Sequence, residues 1–373
     1  MSAGELNLVP PSSPAVGSAR LRIAQVAPLA ESVPPARYGG TERVVAYLSE
    51  ALIALGHEVT LFASGDSTAQ VPLVACCEAS LREHGGGCDA MMFSVLQLQA
   101  VLDRNGEFDV LHFHNGYLHV LLSRQLAPRV TTLHGRLDHD PPHFFAAYPD
   151  EPFVSVSDAQ RAPLPNVDWA RTVYHGLPRD LLAPGAGRGG YLAFVGRLSR
   201  EKRVDRAIEI ARRAGMPLKI MAKIDAADAA YVEREIRHLL SAPGIEFIGE
   251  GDERAKGELL ADAAALLFPI DWPEPFGLVM IEALACATPV IAFRNGSVPE
   301  VIEEGQTGYI VDSLDAAVAA VRRLDRIDRT ACRDAFARRF TAERMAQDYV
   351  DVYRTLLAND VHASRPQWQA QSR

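Results

Sequence analysis

Short apolar runs alternate along the chain with longer stretches in which apolar side chains recur every three or four residues. The first run, residues 21–27, predicts a strand. A loop rich in Pro and Gly follows. Residues 41–55 then carry helical apolar spacing that stops at Gly56, and residues 58–63 predict a second strand. Further strands are predicted over 109–113, 129–133 and 153–156. The pattern thins between Val173 and Gly190, where PRDLLAPGAGRGG has the Pro and Gly density of a linker. It then restarts, with strands predicted over 191–195, 218–224, 245–248, 265–269, 290–293 and 309–311. Strands joined by helices imply parallel sheets covered on both faces. The expectation is an α/β chain of two doubly wound domains, 21–175 and 191–340, joined by a hinge at 176–190. A final helix, 341–358, has an apolar stripe that suits either domain. Residues 1–20 hold Pro10, Pro11, Ser12, Ser13 and Pro14 but no apolar core. They read as a disordered leader rather than a signal peptide, and 359–373 as a loose tail.

Composition narrows the function class. The chain has 373 residues, enough for two cores, with 48% apolar and 23% charged residues. No apolar run reaches the length of a bilayer span, so no integral membrane segment is expected and a cytoplasmic protein is. Cys76, Cys77, Cys88, Cys286 and Cys332 form no C-x-x-C pair, and their odd number argues against a disulfide framework. Net charge is −9, and the first 175 residues hold 18 Asp and Glu against 11 Arg and no Lys. Such a surface is a poor match for nucleic acid. The chain uses 34 Arg but only four Lys: Lys202, Lys219, Lys223 and Lys256. Where any cation serves, this chain carries Arg, so each Lys is a candidate for a specific role. Lys219 opens a predicted strand, where solvation accounts for it equally well.

In an open parallel sheet, ligands bind beyond the C-terminal strand ends, at helix N-termini. Three segments there carry the chemistry. Tyr38-Gly39-Gly40-Thr41 follows the first strand, where two glycines let backbone amides approach an anion or a sugar. A plain turn capped by Thr41 explains the same residues. Val195-Gly196-Arg197 through Lys202 follows the first strand of the second domain. Arg197 and Lys202 together suit a diphosphate, one as a fork and one as a point charge. Finally, PIDWPEPFGLVMIEAL places Glu274 at the mouth of a Pro-rich turn and Glu282 inside an apolar helix beginning near Gly277. Backbone amides of Phe276, Gly277, Leu278 and Val279 are expected to take phosphates. A carboxylate as buried as Glu282 needs a partner, for which ribose hydroxyls qualify.

This last segment resembles the E-x7-E motif of the retaining GT-B glycosyltransferases, the group that includes sucrose synthases and bacterial mannosyl- and glucosyltransferases. The resemblance extends to GGTERVVAYLSEALIALGHEVTLFASGD, TLHG, VGRLSREKRVD and TPVIAFRNGSVPEVIEEGQTGYIV, and so covers roughly residues 21 to 355. It implies a GT-B fold, two Rossmann-like domains facing a central cleft, the first for the acceptor and the second for the donor. Arg197 and Lys202 would bind the donor diphosphate, Glu282 the ribose, and Glu274 hydroxyls of the transferred sugar. Phe276, Gly277 and Leu278 would offer backbone donors. Gly39 and Gly40 would close over the donor, and His134 would line the sugar site. Ala287 stands where the family usually has Gly; if that position has φ > 0, alanine carries strain there.

The loop HGRLDHDPPH also suggests a metal held by His134, Asp138, His139 and His143, but its spacing fits no standard zinc site. No metal and no other cofactor is expected. Arg136 and Asp138 read instead as an acceptor-side lining. The expected reaction moves a hexose from a nucleotide diphosphate-sugar, UDP-sugar before GDP-sugar, to a hydroxyl of a small molecule or glycan. Retention of anomeric configuration follows from the resemblance. The alternatives are a membrane-surface glycolipid glycosyltransferase and a non-catalytic nucleotide-sugar-binding protein. A phosphorylase or a nucleotide-sugar epimerase would share the fold. No pyridoxal-lysine site marks the first, and the paired glutamates speak against the second.

Overall fold

The structure is a computed structural model that describes residues 20–36, 39–82 and 89–363. Tyr38, Cys88, nearly all of the expected leader and most of the expected tail lie outside the described residues. Among the described residues, thirteen strands form two sheets. The first holds β1 (Arg22–Val26), β2 (Glu58–Ser64), β3 (Leu73–Cys77), β4 (Val110–Phe113), β5 (Arg129–Thr132), β6 (Phe153–Ser155) and β7 (Trp169–Thr172), in the order β3-β2-β1-β4-β5-β6-β7. The second holds β8 (Leu192–Arg197), β9 (Leu218–Lys223), β10 (Ile245–Gly249), β11 (Ala265–Phe268), β12 (Val290–Phe293) and β13 (Gly308–Val311), in the order β10-β9-β8-β11-β12-β13. Every strand pair is parallel.

The central strands β4, β11 and β12 are buried at every residue, as continuous apolar runs require when helices cover both faces. The edge strands β3 and β7 bury little; β3 is an apolar run, LVACC, whereas β7, WART, is mixed. In each sheet the chain leaves one strand toward one side and later returns on the other. That reversal lies between β1 and β4 in the first domain and between β8 and β11 in the second. Such switch points open a crevice beyond the strand ends, and the loops after β1 and β8 lie there.

The last helix, Ala342–Ala363, settles on the first domain. It packs against the helix Gly40–Ala54, and its Tyr349 and Tyr353 are fully buried. The chain therefore crosses between domains twice. The two crossings are stitched together: Leu177 donates its amide to Phe340 O at 2.9 Å, and Ala342 donates to Leu177 O at 2.8 Å. Gly176 is required at this seam, because a Cβ there would lie 2.1 Å from Thr341 O.

Candidate active site

A cleft of about 340 Å³ separates the domains. Its second-domain wall is built on the helix Leu278–Ala285. Gly277 caps that helix in the left-handed region, φ 81°, and a Cβ there would crowd Met280 and Phe268 at 2.9 and 3.1 Å. Phe276, Gly277, Leu278 and Val279 all line the cleft. The first amides of a helix have no intrahelical acceptor, so this end offers donors and a positive dipole end.

Two Lys–Glu pairs flank the helix. Lys202 Nζ bonds the Glu274 carboxylate, which also accepts from Trp272 Nε1 at 2.9 Å. Lys202 lies 4.7 Å from the Trp272 ring centroid. Inside the helix, Glu282 accepts from Lys256 Nζ at 2.5 Å. Lys256 also meets Glu253 at 3.0 Å. The buried Glu282 thus has a protein partner, where the sequence reading supplied only ribose. Lys202, Lys223 and Lys256, three of the four lysines in the chain, line this one cleft. Lysine scarcity was the signal for Lys256, which no motif singles out. Lys219 lies elsewhere, over Tyr191 and beside Glu246.

A second loop holds the Glu274 turn from behind. Ser297 donates its amide to Glu274 O at 3.0 Å and its hydroxyl to Phe276 O at 2.7 Å. Asn295 Nδ2 donates to Ile270 O at 2.9 Å. Gly296, φ 52°, has no room for a side chain, since a Cβ would fall 2.2 Å from Glu274 O. The segment Asn295–Ser297 therefore positions the glutamate turn rather than touching the cleft.

The first-domain wall is different in kind. Gly39 and Gly40 line it, and a Cβ on Gly39 would lie 2.8 Å from Pro35. Gly40 sits across from Leu278, to which a Cβ would come within 3.7 Å. His134, Gly135 and His175 line it too, with Thr41 and Arg43, whose guanidinium reaches across to Glu253. The rings of His134 and His175 stack with centroids 5.3 Å apart, and His175 meets Phe276 edge-on at 4.9 Å. Burial pushes His134 down to about 3, so its ring is neutral in the working range. Burial lowers His175 well below its ordinary value too, with His134 and Arg344 adding to the effect. His175 was not among the residues expected in the site; it ends the first domain next to the linker, outside any quoted motif.

Three expected residues sit outside the cleft lining. Arg197 does not meet Lys202 over a common ligand site. Its guanidinium is held by Glu201 at 2.6 Å, Asp228 at 3.2 Å and Asp225 at 3.6 Å. The reason is local: β8 runs on through Arg197, so the side chain follows the pleat of the strand and meets acidic residues beyond β9. Arg136 and Asp138 pair with each other, and Arg136 lies 5.4 Å from the Trp272 ring, bridging the cleft mouth. His139 and His143 are exposed. Among the described residues no group of three or more His, Cys, Asp or Glu side chains is arranged to hold a metal ion. Ala287 adopts φ 58°, the left-handed conformation that its usual glycine would accept without strain.

Residues 38–182 match the family model described as Glycosyltransferase Family 4, and residues 186–334 match the model described as Glycosyl transferases group 1. N-acetyl-alpha-D-glucosaminyl L-malate synthase of Bacillus anthracis is 24% identical over 367 residues, spanning 86% of this chain and 95% of that protein. AviGT4, a glycosyltransferase involved in avilamycin A biosynthesis, is 27% identical, with a TM-score of 0.69 over 91% of this chain and 98% of its own. Sucrose-phosphate synthase from Thermosynechococcus elongatus shares the fold, with a TM-score of 0.73 at 19% identity over 91% of this chain and 100% of that one.

Proposed function

The chain is a glycosyltransferase of the GT-B fold, and from that premise we propose that it transfers a hexose from a nucleoside diphosphate-sugar to a hydroxyl acceptor with retention. The observation that carries this reading is the cleft itself. A helix N-terminus flanked by Lys202 and Lys256 faces a wall of glycines and neutral histidines, whose cation, Arg43, is paired with Glu253. Breaking a sugar–phosphate bond puts negative charge on the leaving diphosphate and positive charge on the sugar. Lys202 and the amides of Gly277, Leu278 and Val279 stabilise the first more as it departs. Glu274, bonded to both Lys202 and Trp272, stands where it meets hydroxyls of the sugar. Glu282 holds the ribose, and Lys256 fixes its carboxylate. Arg197, held by Glu201, Asp225 and Asp228, stands back from the diphosphate. With this cationic wall, the reaction proceeds without a divalent ion.

UDP-sugars are the first donors to test and GDP-sugars the second. A thermal-shift panel of UDP-, GDP- and ADP-sugars identifies the donor, because a bound ligand raises the melting temperature. Release of nucleoside diphosphate with an acceptor panel then separates an enzyme from a binding protein, and NMR of the product reports its anomeric configuration. Turnover lost in EDTA and restored by magnesium overturns the metal-independent mechanism.

One observation favours a membrane-surface glycolipid as the acceptor. Met91, Met92, Val95 and Leu96 on the helix Ala90–Asp103 are exposed. The acidic balance of the same domain favours a small soluble acceptor. Flotation with neutral and anionic vesicles distinguishes the two. No helix among the described residues is long and apolar enough to cross a membrane.

A further inference from the structure

Beneath the first-domain wall lies a continuous chain of buried polar side chains. His134 Nε2 meets His114 Nδ1 at 2.9 Å, and His114 Nε2 meets Gln25 Oε1 at 2.7 Å. Gln25 Nε2 donates to the Tyr353 hydroxyl at 3.2 Å. That hydroxyl meets His112 Nδ1 at 2.8 Å, and His112 Nε2 meets Thr132 Oγ1 at 2.8 Å. Thr132 and the Tyr349 hydroxyl close the chain at 2.8 Å. His112, Gln25, Tyr349 and Tyr353 are each at most 1% exposed. Nothing in donor binding calls for such a network, and a buried polar network is costly unless every member is satisfied.

The amide of Gln25 gives the chain a direction. A carbonyl oxygen only accepts, so His114 Nε2 carries a proton and donates to it. His114 is buried and neutral, its titration lowered by desolvation and by His112, His134 and His175. A neutral imidazole with Nε2–H has a bare Nδ1, which accepts from His134 Nε2–H. At the other end the Tyr353 hydroxyl accepts from Gln25 and donates to His112 Nδ1. His112 Nε2–H then donates to Thr132. Each donor has one acceptor along the whole run.

We propose that His114, Gln25 and Tyr353 are positioning residues that fix His134 as its Nε2–H tautomer, tying the active-site histidine to the C-terminal helix. His134 Nδ1 is then left as a bare acceptor; it is buried and, like His175 Nδ1 beside it, has no hydrogen-bond partner among the described residues. A neutral acceptor at this wall sets no positive charge beside a sugar that is itself becoming positive. The groups that face His134 are His114 and His175, with Phe276 and Arg344 packed against His175. The proposal rests on the reading that His134 lines the sugar site, but its test does not.

The test is ¹⁵N NMR of the histidine side chains in the full chain without ligand, His134 assigned through His134→Gln. The Nε2–H pattern is expected, unchanged between about pH 5.5 and 8.5, since unperturbed histidines titrate near 6.5. In Tyr353→Phe the Gln25 amide loses its acceptor and is free to turn over, so His134 becomes a mixture of tautomers. Adding Gln25→Glu to that variant restores the single Nε2–H form, because a carboxylate only accepts. A ligand-free wild type showing Nδ1–H, or a titration near neutrality, overturns the proposal, as does a Tyr353→Phe spectrum identical to wild type. If Tyr353→Phe does not fold, the wild-type spectrum alone decides. Calorimetric titration with UDP reports separately on the donor reading.

Discussion

The two walls of the cleft come from domains of the same architecture, yet they handle charge in opposite ways. The second-domain wall concentrates it: three of the chain's four lysines, Glu274, Glu282 and a helix N-terminus. The first-domain wall holds little of it: its Arg43 is tied to Glu253 across the cleft, Gly39 and Gly40 offer backbone, and His134 and His175 are held neutral by burial. The difference fits a reaction in which one fragment leaves as an anion and the other passes through a cationic state. Charge belongs where it stabilises the leaving group, and its absence belongs beside the sugar.

The largest effect should follow from breaking the charged wall. Lys202→Ala is expected to lower kcat/KM by about a hundredfold or more, the scale of losing a donor to developing charge. Arg197→Ala should cost less than about tenfold, because its guanidinium is occupied by Glu201, Asp225 and Asp228 rather than turned to the cleft. Equal losses in the two variants would place Arg197 back on the diphosphate.

Within that wall, Glu274 and Glu282 should separate. Glu274→Gln loses a contact near the reacting sugar and should chiefly lower kcat, by about tenfold or more. Glu282→Gln should chiefly weaken the donor and the free nucleoside diphosphate alike, with Lys256 left unpaired beside it. Steady-state kinetics and calorimetry on both variants read the split. The reverse pattern would turn the donor end for end in the cleft.

The neutral wall should show itself in acid. Burial lowers His112, His114, His134 and His175, with His134 at about 3. An unfolded histidine titrates near about 6.5. Below that, the unfolded chain binds protons the folded chain refuses, so stability falls as pH drops from about 6.5 toward about 3. Each such group contributes a slope of at most about 1.4 kcal/mol per pH unit in that window. Thermal melts should show the loss beginning just below neutrality, and His134→Gln should make it shallower. A melting temperature constant down to about pH 5 would mean these rings are protonated in the folded protein.

What was legible in the sequence follows the same division. Part of the charged wall is local: Glu274 and Glu282 lie on one turn and the helix that follows it, and Lys202 on the loop after β8, although Lys202 and its partner Glu274 are 72 residues apart. Most strands of both domains stand out as apolar runs; the edge strand Trp169–Thr172 is too mixed to do so, and Leu73–Cys77, though apolar throughout, was not among the expected strands. The neutral wall was only half visible. His134 stands in a motif, but Gln25, His112, His114, Tyr349 and Tyr353 come from strands and a helix up to 328 residues apart. No local spacing joins them. Lys256 lay between these cases, marked by rarity rather than by motif, and Arg197 ends β8 with its guanidinium on Glu201, Asp225 and Asp228, partners that no local spacing announces.

The smallest effect concerns Ala287, just beyond the helix that carries Glu282. Its φ of 58° is a left-handed strain that glycine would relieve. Ala287→Gly is expected to stabilise the protein by up to about 1 kcal/mol, after the entropy that glycine adds to the unfolded chain. Chemical denaturation reads the change. A destabilised variant would mean that the buried Ala287 methyl packs better than its backbone suffers.

The division of labour is tested most directly by calorimetric titration of UDP, or of whichever nucleoside diphosphate shifts the melting temperature, into Lys202→Ala and His134→Ala alongside turnover. The account predicts that His134→Ala binds the nucleotide as the wild type does while losing turnover, and that Lys202→Ala loses both. Nucleotide affinity lost in His134→Ala and kept in Lys202→Ala would contradict it.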